Sequence, residues 1–286
     1  MFNTLKTAFL LALLTVLLVF AGRLVGGNGG MAMALVLAVV MNVGAYWFSD
    51  KIALRMAGAR PVTEAEAPDL YRIVADLARQ ASLPMPRVYV IQQPAPNAFA
   101  TGRDPQHAVV AVTAGILDLV SERELRAVLA HELGHVQNRD TLVMAVVASI
   151  AGAISYIAQI AQWGLIFGGR SDDDDRGGNA LGMLVGIIVL PIAALLIQLA
   201  ISRSREYGAD DSGAELSRDP LSLASALRKM AAYSKQIPLP VNPSVSPLFI
   251  VQPLVPGGLA GLFSTHPPIE ARIARLEQRA GAVLGS

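Results

Sequence analysis

The chain has 286 residues, 53% hydrophobic and only 16% charged, and its 23 basic and 22 acidic side chains leave a net charge of +1. A soluble protein carries nearer about a quarter charged residues, so this composition and a mean hydropathy of +0.48 point to a membrane. No basic tract marks a nucleic-acid partner, and without cysteine any metal must be held by nitrogen and oxygen.

Thr7 to about Val25 and Met31 to about Phe48 are each apolar enough to cross a bilayer, which takes about 20 helical residues. Gly26-Gly27-Asn28-Gly29-Gly30 joins them as a tight turn, so residues 1–49 are expected to form a transmembrane hairpin. Lys6 before the first run also fits a signal peptide, but the second span follows with no small-x-small cleavage site.

Residues 50–140 read as a compact α+β domain. Thr63 with Glu66 caps a helix over about residues 65–81. Arg87 to Gln92 and His107 to Val112 read as strands. The intervening Pro94 to Gly102 suits a sheet margin. An open strand edge there would accept an extended peptide, although an ordinary hairpin loop fits the same residues. His107 reads as a surface side chain.

Ser121 and Glu124 form a capping box, and Leu125, Val128, Leu129 and Val136 follow at helical spacing. This helix carries His131-Glu132-Leu133-Gly134-His135. Residues four apart share a helix face, so both imidazoles can grip one zinc ion while Glu132 reaches a water beside it.

Thr141 to about Phe167 and Ala180 to about Ser202 are a second pair of spans, so residues 141–202 are expected to form another hairpin. A buried soluble core is the competing reading, and their length and lack of charge oppose it. The acidic run Asp172–Asp175 between them lacks the ligand spacing of a calcium loop. Residues 50–140 carry ten basic side chains and residues 202–286 nine. The positive-inside rule then puts both termini and both polar parts in the cytoplasm.

Residues 203–286 supply the second polar part. It holds a helix near Pro220 to Tyr233, an apolar loop over residues 237–261 and a basic helix from about Pro268 to Arg279. The loop suits a cleft wall, a lid or a membrane contact alike. A catalytic zinc takes three protein ligands, and the third is sought in Ser202 to Asp210. The second hairpin would bring this stretch back to the leaflet that residue 135 left. Glu206 and Asp210 share a helix face. Glu206 is the candidate ligand, and Asp210 would accept the free N–H of a ligand histidine. A charged juxtamembrane helix with Arg203 and Arg205 pairing its own acids is the alternative.

The HELGH motif followed by Ser202-Arg203-Ser204-Arg205-Glu206-Tyr207-Gly208-Ala209-Asp210 after two apolar spans resembles the HtpX group of membrane zinc metalloproteases. More distantly it is similar to the integral-membrane CAAX prenyl proteases. Asn97-Ala98-Phe99-Ala100-Thr101-Gly102 and Ser264-Thr265-His266-Pro267-Pro268 match as well. The resemblance covers nearly the whole chain. It implies one zinc ion per chain on His131, His135 and Glu206, with Glu132 as base. It also implies that His266 and Arg272 support the oxyanion, and that Asn97 and Phe99 contact substrate. Without the resemblance, His266 reads as part of a helix N-terminus and Arg272 as a surface pair. It further implies an endopeptidase of a bacterial inner membrane that degrades damaged or misassembled membrane proteins or other unfolded polypeptides.

The expected fold is therefore an α-helical membrane protein with four transmembrane helices and a cytoplasmic α+β zincin-like metalloprotease domain. A transporter or channel is the first rival, weakened by the lack of charge inside the spans. A catalytically inactive zinc-binding scaffold is the second. The sequence assigns no oligomeric state.

Overall fold

In a computed structural model, residues 2–146, 203–234, 236, 239, 243–251 and 267–284 are described. Helix α1 spans Phe2–Met56, yet it cannot be straight. At about 1.5 Å per residue, residues 11 and 42 of a straight helix would lie roughly 46 Å apart. Instead, the Asn42 side-chain amide donates to the Leu11 carbonyl at 3.2 Å and to Thr15 Oγ1 at 2.8 Å. The chain turns back at Gly27, whose φ of 57° suits glycine. Gly22 then meets Gly30 so closely that a methyl group on either would collide with the other arm.

Helix α1 thus folds back at its glycine run, and its second arm continues without a break to Met56. Among the described residues one segment, Gly27–Met56, is long and apolar enough to cross a membrane, with 11% of its apolar window buried. Leu11–Phe20 is a shorter apolar helix. Helical backbone resumes over residues 141–146. Residues 147–202, which carry most of the expected third and fourth spans, lie outside the described residues.

After α1 come β1 (Ala59–Pro61), α2 (Pro68–Gln80), β2 (Arg87–Ile91), β3 (Ala98–Thr101), β4 (Val109–Thr113), α3 (Ala114–Leu119) and α4 (Glu122–Gln137). The later described helices are α5 (Arg203–Ser217), α6 (Pro220–Ser234) and α7 (Ile269–Leu284). Strand order is β1-β2-β4-β3. Strands β2 and β4 run parallel, and β1 and β3 pair antiparallel at the two edges. Pro61 fits an edge because it has no N–H to give.

Successive strand residues face opposite sides, and both sides of this sheet are buried. Val88, Val90, Val110 and Val112 join α2 and α4 in one core. Ile91, Val109 and Ala111 join the end of α1 (Ala53, Leu54) and Leu248 and Phe249 in a second. That is why β4 reads as an unbroken apolar run rather than an alternating one. The second core also fixes the end of the apolar α1 arm to the sheet that borders α4.

Candidate metal centre

Helix α4 starts at the capping box expected from the sequence. Ser121 Oγ accepts from the Glu124 N–H, and the Glu124 carboxylate accepts from the Ser121 N–H at 2.8 Å. Apolar neighbours bury the helix from Leu125 to Val136, so His131, Glu132 and His135 lie in the core at 0%, 1% and 5% exposure. Helix α5 packs along α4. The contact needs glycine, because a Cβ on Gly213 would sit 2.8 Å from both N and Cα of His131. Glu206, Asp210 and Gly213 follow at i, i+4 and i+7, so one α5 face presents both acids to α4.

The result is a converging set. One ligand atom from each of His131, His135 and Glu206 lies within 4.8 Å of the others. Glu206 Oε2 is 3.9 Å from His131 Nε2, and Oε1 is 3.7 Å from His135 Nε2. The imidazoles stand edge to face, with centroids 4.8 Å apart. Ligand bonds of about 2.1 Å in a tetrahedron put donors roughly 3.4 Å apart, so small closing movements suffice.

Each histidine has a carboxylate behind it. Nδ1 of His131 is 3.0 Å from Asp210, and Nδ1 of His135 is 3.1 Å from both oxygens of Asp140. Such partners hold the proton on Nδ1 and leave Nε2 as the ligand atom.

Arg272 is fully buried beneath the site. Its Nε and Nη2 donate to Asp210 at 2.9 and 2.7 Å, and Nη1 donates to the Ile250 carbonyl at 3.0 Å. Nη1 also lies 3.5 Å from Glu206. The surface pairing that fits the bare sequence is not what the structure holds. Nη2 also lies 3.5 Å from His131 Nε2, so Arg272 reaches the metal-ligand cluster itself. His266 lies outside the described residues.

Four buried carboxylates (Glu132, Asp140, Glu206, Asp210) share this region with the guanidinium of Arg272 and with Arg205, which feels the charges of Asp140 and Glu206. Carboxylates thus outnumber guanidinium groups around the three ligand atoms, which favours a cation there. Burial would lower His135, but Asp140, Glu206 and Glu132 outweigh it and push its imidazole up to about 10. A cation on Nε2 would displace that proton. His131 is pushed down, by burial first and then by Arg272 against the pull of Asp210.

Glu132 is raised to about 7 by burial and the charge of Glu206. Its Oε2 accepts from the Ala100 N–H of β3 at 2.7 Å. Its Oε1 is buried with no hydrogen-bond partner among the described residues. One oxygen is anchored to the sheet edge and the other is left for a proton. These donors fit zinc.

Asn97 and Phe99 flank this edge but are occupied by the chain itself. The Asn97 amide donates to the Val251 carbonyl at 2.7 Å, and Phe99 packs edge to face on Phe249 at 5.1 Å. The Ile250 N–H donates to the Ala98 carbonyl. The described part of the apolar 237–261 loop therefore lies against the outer edge of β3. The structure also supplies a partner the sequence reading missed. Nothing in the sequence reading gave Asp140 a role at the site. Its signal was local: Arg139 adopts φ 55°, and the Arg139 and Asp140 N–H groups return to Val136 and His135. This helix-ending motif folds Asp140 back beneath His135.

Paired histidines one helical turn apart, a glutamate between them and a third carboxylate from a second helix define a zinc metallopeptidase site. The profile of Peptidase family M48 matches residues 64–280, and the chain belongs to that family. A protease HtpX homolog of Syntrophobacter fumaroxidans is 57% identical over 274 residues, covering 95% of this chain and 97% of that protein. One from Thermodesulfovibrio yellowstonii is 54% identical, covering 97% and 99%. The crystal structure of S. mikatae Ste24p shares the fold at 19% identity and TM-score 0.53, and this chain spans 64% of its length. The protein is a membrane-associated, zinc-dependent metalloprotease.

Proposed function

We propose that the chain is an endopeptidase of the bacterial inner membrane whose site acts on the cytoplasmic side, cutting damaged or misfolded membrane proteins and other unfolded polypeptides. Two hairpins, residues 1–49 and 141–202, anchor it. Residues 50–140 and 203–286 together make the protease domain, with both termini cytoplasmic. The observation that carries this reading is the joint approach of His131, His135 and Glu206 beside a Glu132 with one unengaged oxygen. That cluster stands one helical turn ahead of Asp140, where the chain heads into an apolar segment.

In this reading His131, His135 and Glu206 hold one zinc ion. Bound there, zinc supplies Lewis acidity to the scissile carbonyl and lowers the pKa of a water. Glu132 Oε1 removes a proton from that water as it attacks the carbonyl, then delivers it to the departing amine. Glu132 Oε2 stays on the Ala100 N–H, which fixes the base relative to the strand edge. His266 donates to the developing oxyanion. Arg272 acts as a positioning residue, because it holds Asp210, which in turn orients His131. Asn97 and Phe99 shape the substrate platform by fixing β3 and residues 249–251 beside it. Substrate lies beside the part of the edge nearest Glu132.

The test measures zinc content and cleavage of an unfolded protein by the full chain in detergent. Glu132→Gln keeps zinc and loses cleavage. His131→Ala, His135→Ala and Glu206→Gln lose both, and His266→Ala keeps zinc with turnover down roughly a hundredfold. Zinc lost from Glu132→Gln, or cleavage that survives a chelator, overturns the assignment. A chain that binds zinc but cleaves nothing would instead be the inactive scaffold.

A further inference from the structure

Where α1 leaves its apolar stretch, three aromatic residues come in a row: Tyr46, Trp47 and Phe48, exposed at 37%, 51% and 50%. Lys51 follows one turn later. Aromatic side chains next to lysine mark the level of lipid headgroups. Against this turn of α1 the protease domain brings residues 103–108 and the start of β2. Between them lies a cavity of about 510 Å³ lined by Trp47, Phe48, Lys51, Arg87, Arg103 and His107, among others.

The charges in this cavity are arranged rather than scattered. Arg87 is matched by the buried Asp50 at 2.6 Å, a pair that also ties β2 to α1. Asp104 accepts from His107 Nδ1 at 2.6 Å, and His107 Nε2 faces an Arg103 N–H. That chain of contacts holds the Arg103 guanidinium over the Trp47 ring, 4.8 Å from its centroid. Cation–π stacking uses the face of a guanidinium and leaves edge N–H groups to donate. Lys51 lies 5.5 Å from the Phe48 ring centre and makes no ion pair among the described residues. After the two carboxylates are matched, the cavity keeps one positive charge and unspent donors, at headgroup depth.

We propose that this cavity binds the phosphate of an anionic phospholipid, with Lys51 and Arg103 as its donors and Trp47 and Phe48 against its glycerol and upper acyl region. The chemistry is that of a phosphodiester, and the aromatic wall commits it to a lipid rather than to free phosphate. Such a lipid would bridge α1 and the protease domain at the bilayer surface.

Native mass spectrometry of the full chain in a neutral detergent tests this, with equimolar dioleoylphosphatidylglycerol and dioleoylphosphatidylcholine added. The anionic phosphatidylglycerol is retained preferentially. Lys51→Gln and Arg103→Gln each weaken its retention about fivefold, the loss expected for one interfacial basic side chain. Arg228→Gln, which removes an exposed arginine paired with Glu277 on the far helices, leaves retention unchanged, and millimolar inorganic phosphate does not displace the lipid. Equal retention of the two lipids, unaltered retention in Lys51→Gln, or an equal loss in Arg228→Gln overturns the proposal. Displacement by inorganic phosphate overturns it too, because the cavity would then be a free-phosphate site. If Arg103→Gln fails to fold, Lys51→Gln decides alone.

Discussion

Gly213 has no chemistry of its own, yet the metal centre depends on its missing side chain. A Cβ there would lie 2.8 Å from two backbone atoms of His131, whereas carbon contacts settle at about 3.5–4.0 Å. In Gly213→Ala, α5 must therefore back away from α4 by roughly 0.7 Å or more. Neither partner is a flexible side chain that could swing aside. Glu206 and Asp210 ride on α5, so both carboxylates move with it. Zinc–ligand distances tolerate only about ±0.2 Å. The variant should bind zinc about 10- to 100-fold more weakly, the range seen when the shell around a metal is disturbed. It should also lose about 1–3 kcal/mol of stability to overpacking.

Gly208 supplies the control on the same helix, because its Cβ would meet nothing within 4 Å among the described residues. Gly208→Ala should raise stability by about 0.5–1 kcal/mol through helix propensity and keep zinc. The assay is zinc titration of the chelator-stripped full chain in detergent, followed by thermal unfolding with and without the metal. If Gly213→Ala binds zinc like the unaltered protein and melts no lower, helix contact does not set the position of Glu206 and the reasoning fails.

Asp140→Asn keeps the shape but loses the charge facing His135 Nδ1, so zinc affinity should fall about 10- to 100-fold while the apo protein stays folded; an unchanged zinc titration would count against this role. Arg139→Gly should stabilise the chain by about 1 kcal/mol, because φ 55° costs a side-chain-bearing residue but not glycine; chemical denaturation measures it, and zinc affinity should not change. Glu124 gives a pH test. Burial pushes its carboxyl up, but Lys229, Ser225 and Ser121 outweigh burial and hold it at about 2, against an ordinary 4.5. A pKa lower in the folded state stabilises above the unfolded value, here by roughly 3 kcal/mol at about 1.4 per unit. The stability gap between the unaltered chain and Glu124→Gln should be widest at neutral pH and close as pH falls from about 4.5 towards about 2. A gap that widens on acidification would reverse the sign of the argument.

What could be read from the sequence was local. The capping box of α4, the paired histidines, the strand at residues 87–91 and the glycine turn after span one are each decided within a few residues, and each reappears where expected. The third ligand was readable only as an elimination followed by a topological guess, and α5 does bring Glu206 to the histidines. What could not be read lies either in an unannounced backbone turn or in two segments meeting. Asp140 becomes a partner of His135 because a residue with φ 55° turns the chain, and Arg139 is not a residue type that announces such a turn. Arg272 sits 62 positions from Asp210, and only the family resemblance gave it a place at the site. Its bidentate bond to Asp210 ties α7 to α5. That bond also explains why an arginine is tolerated with no exposure at all. A buried guanidinium is costly unless its charge and donors are matched, and Asp210, Glu206 and the Ile250 carbonyl match them. The same carboxylate then serves two needs, neutralising Arg272 on one side and orienting His131 on the other. Removing either partner should therefore cost fold stability, through the stranded buried charge, as well as metal affinity.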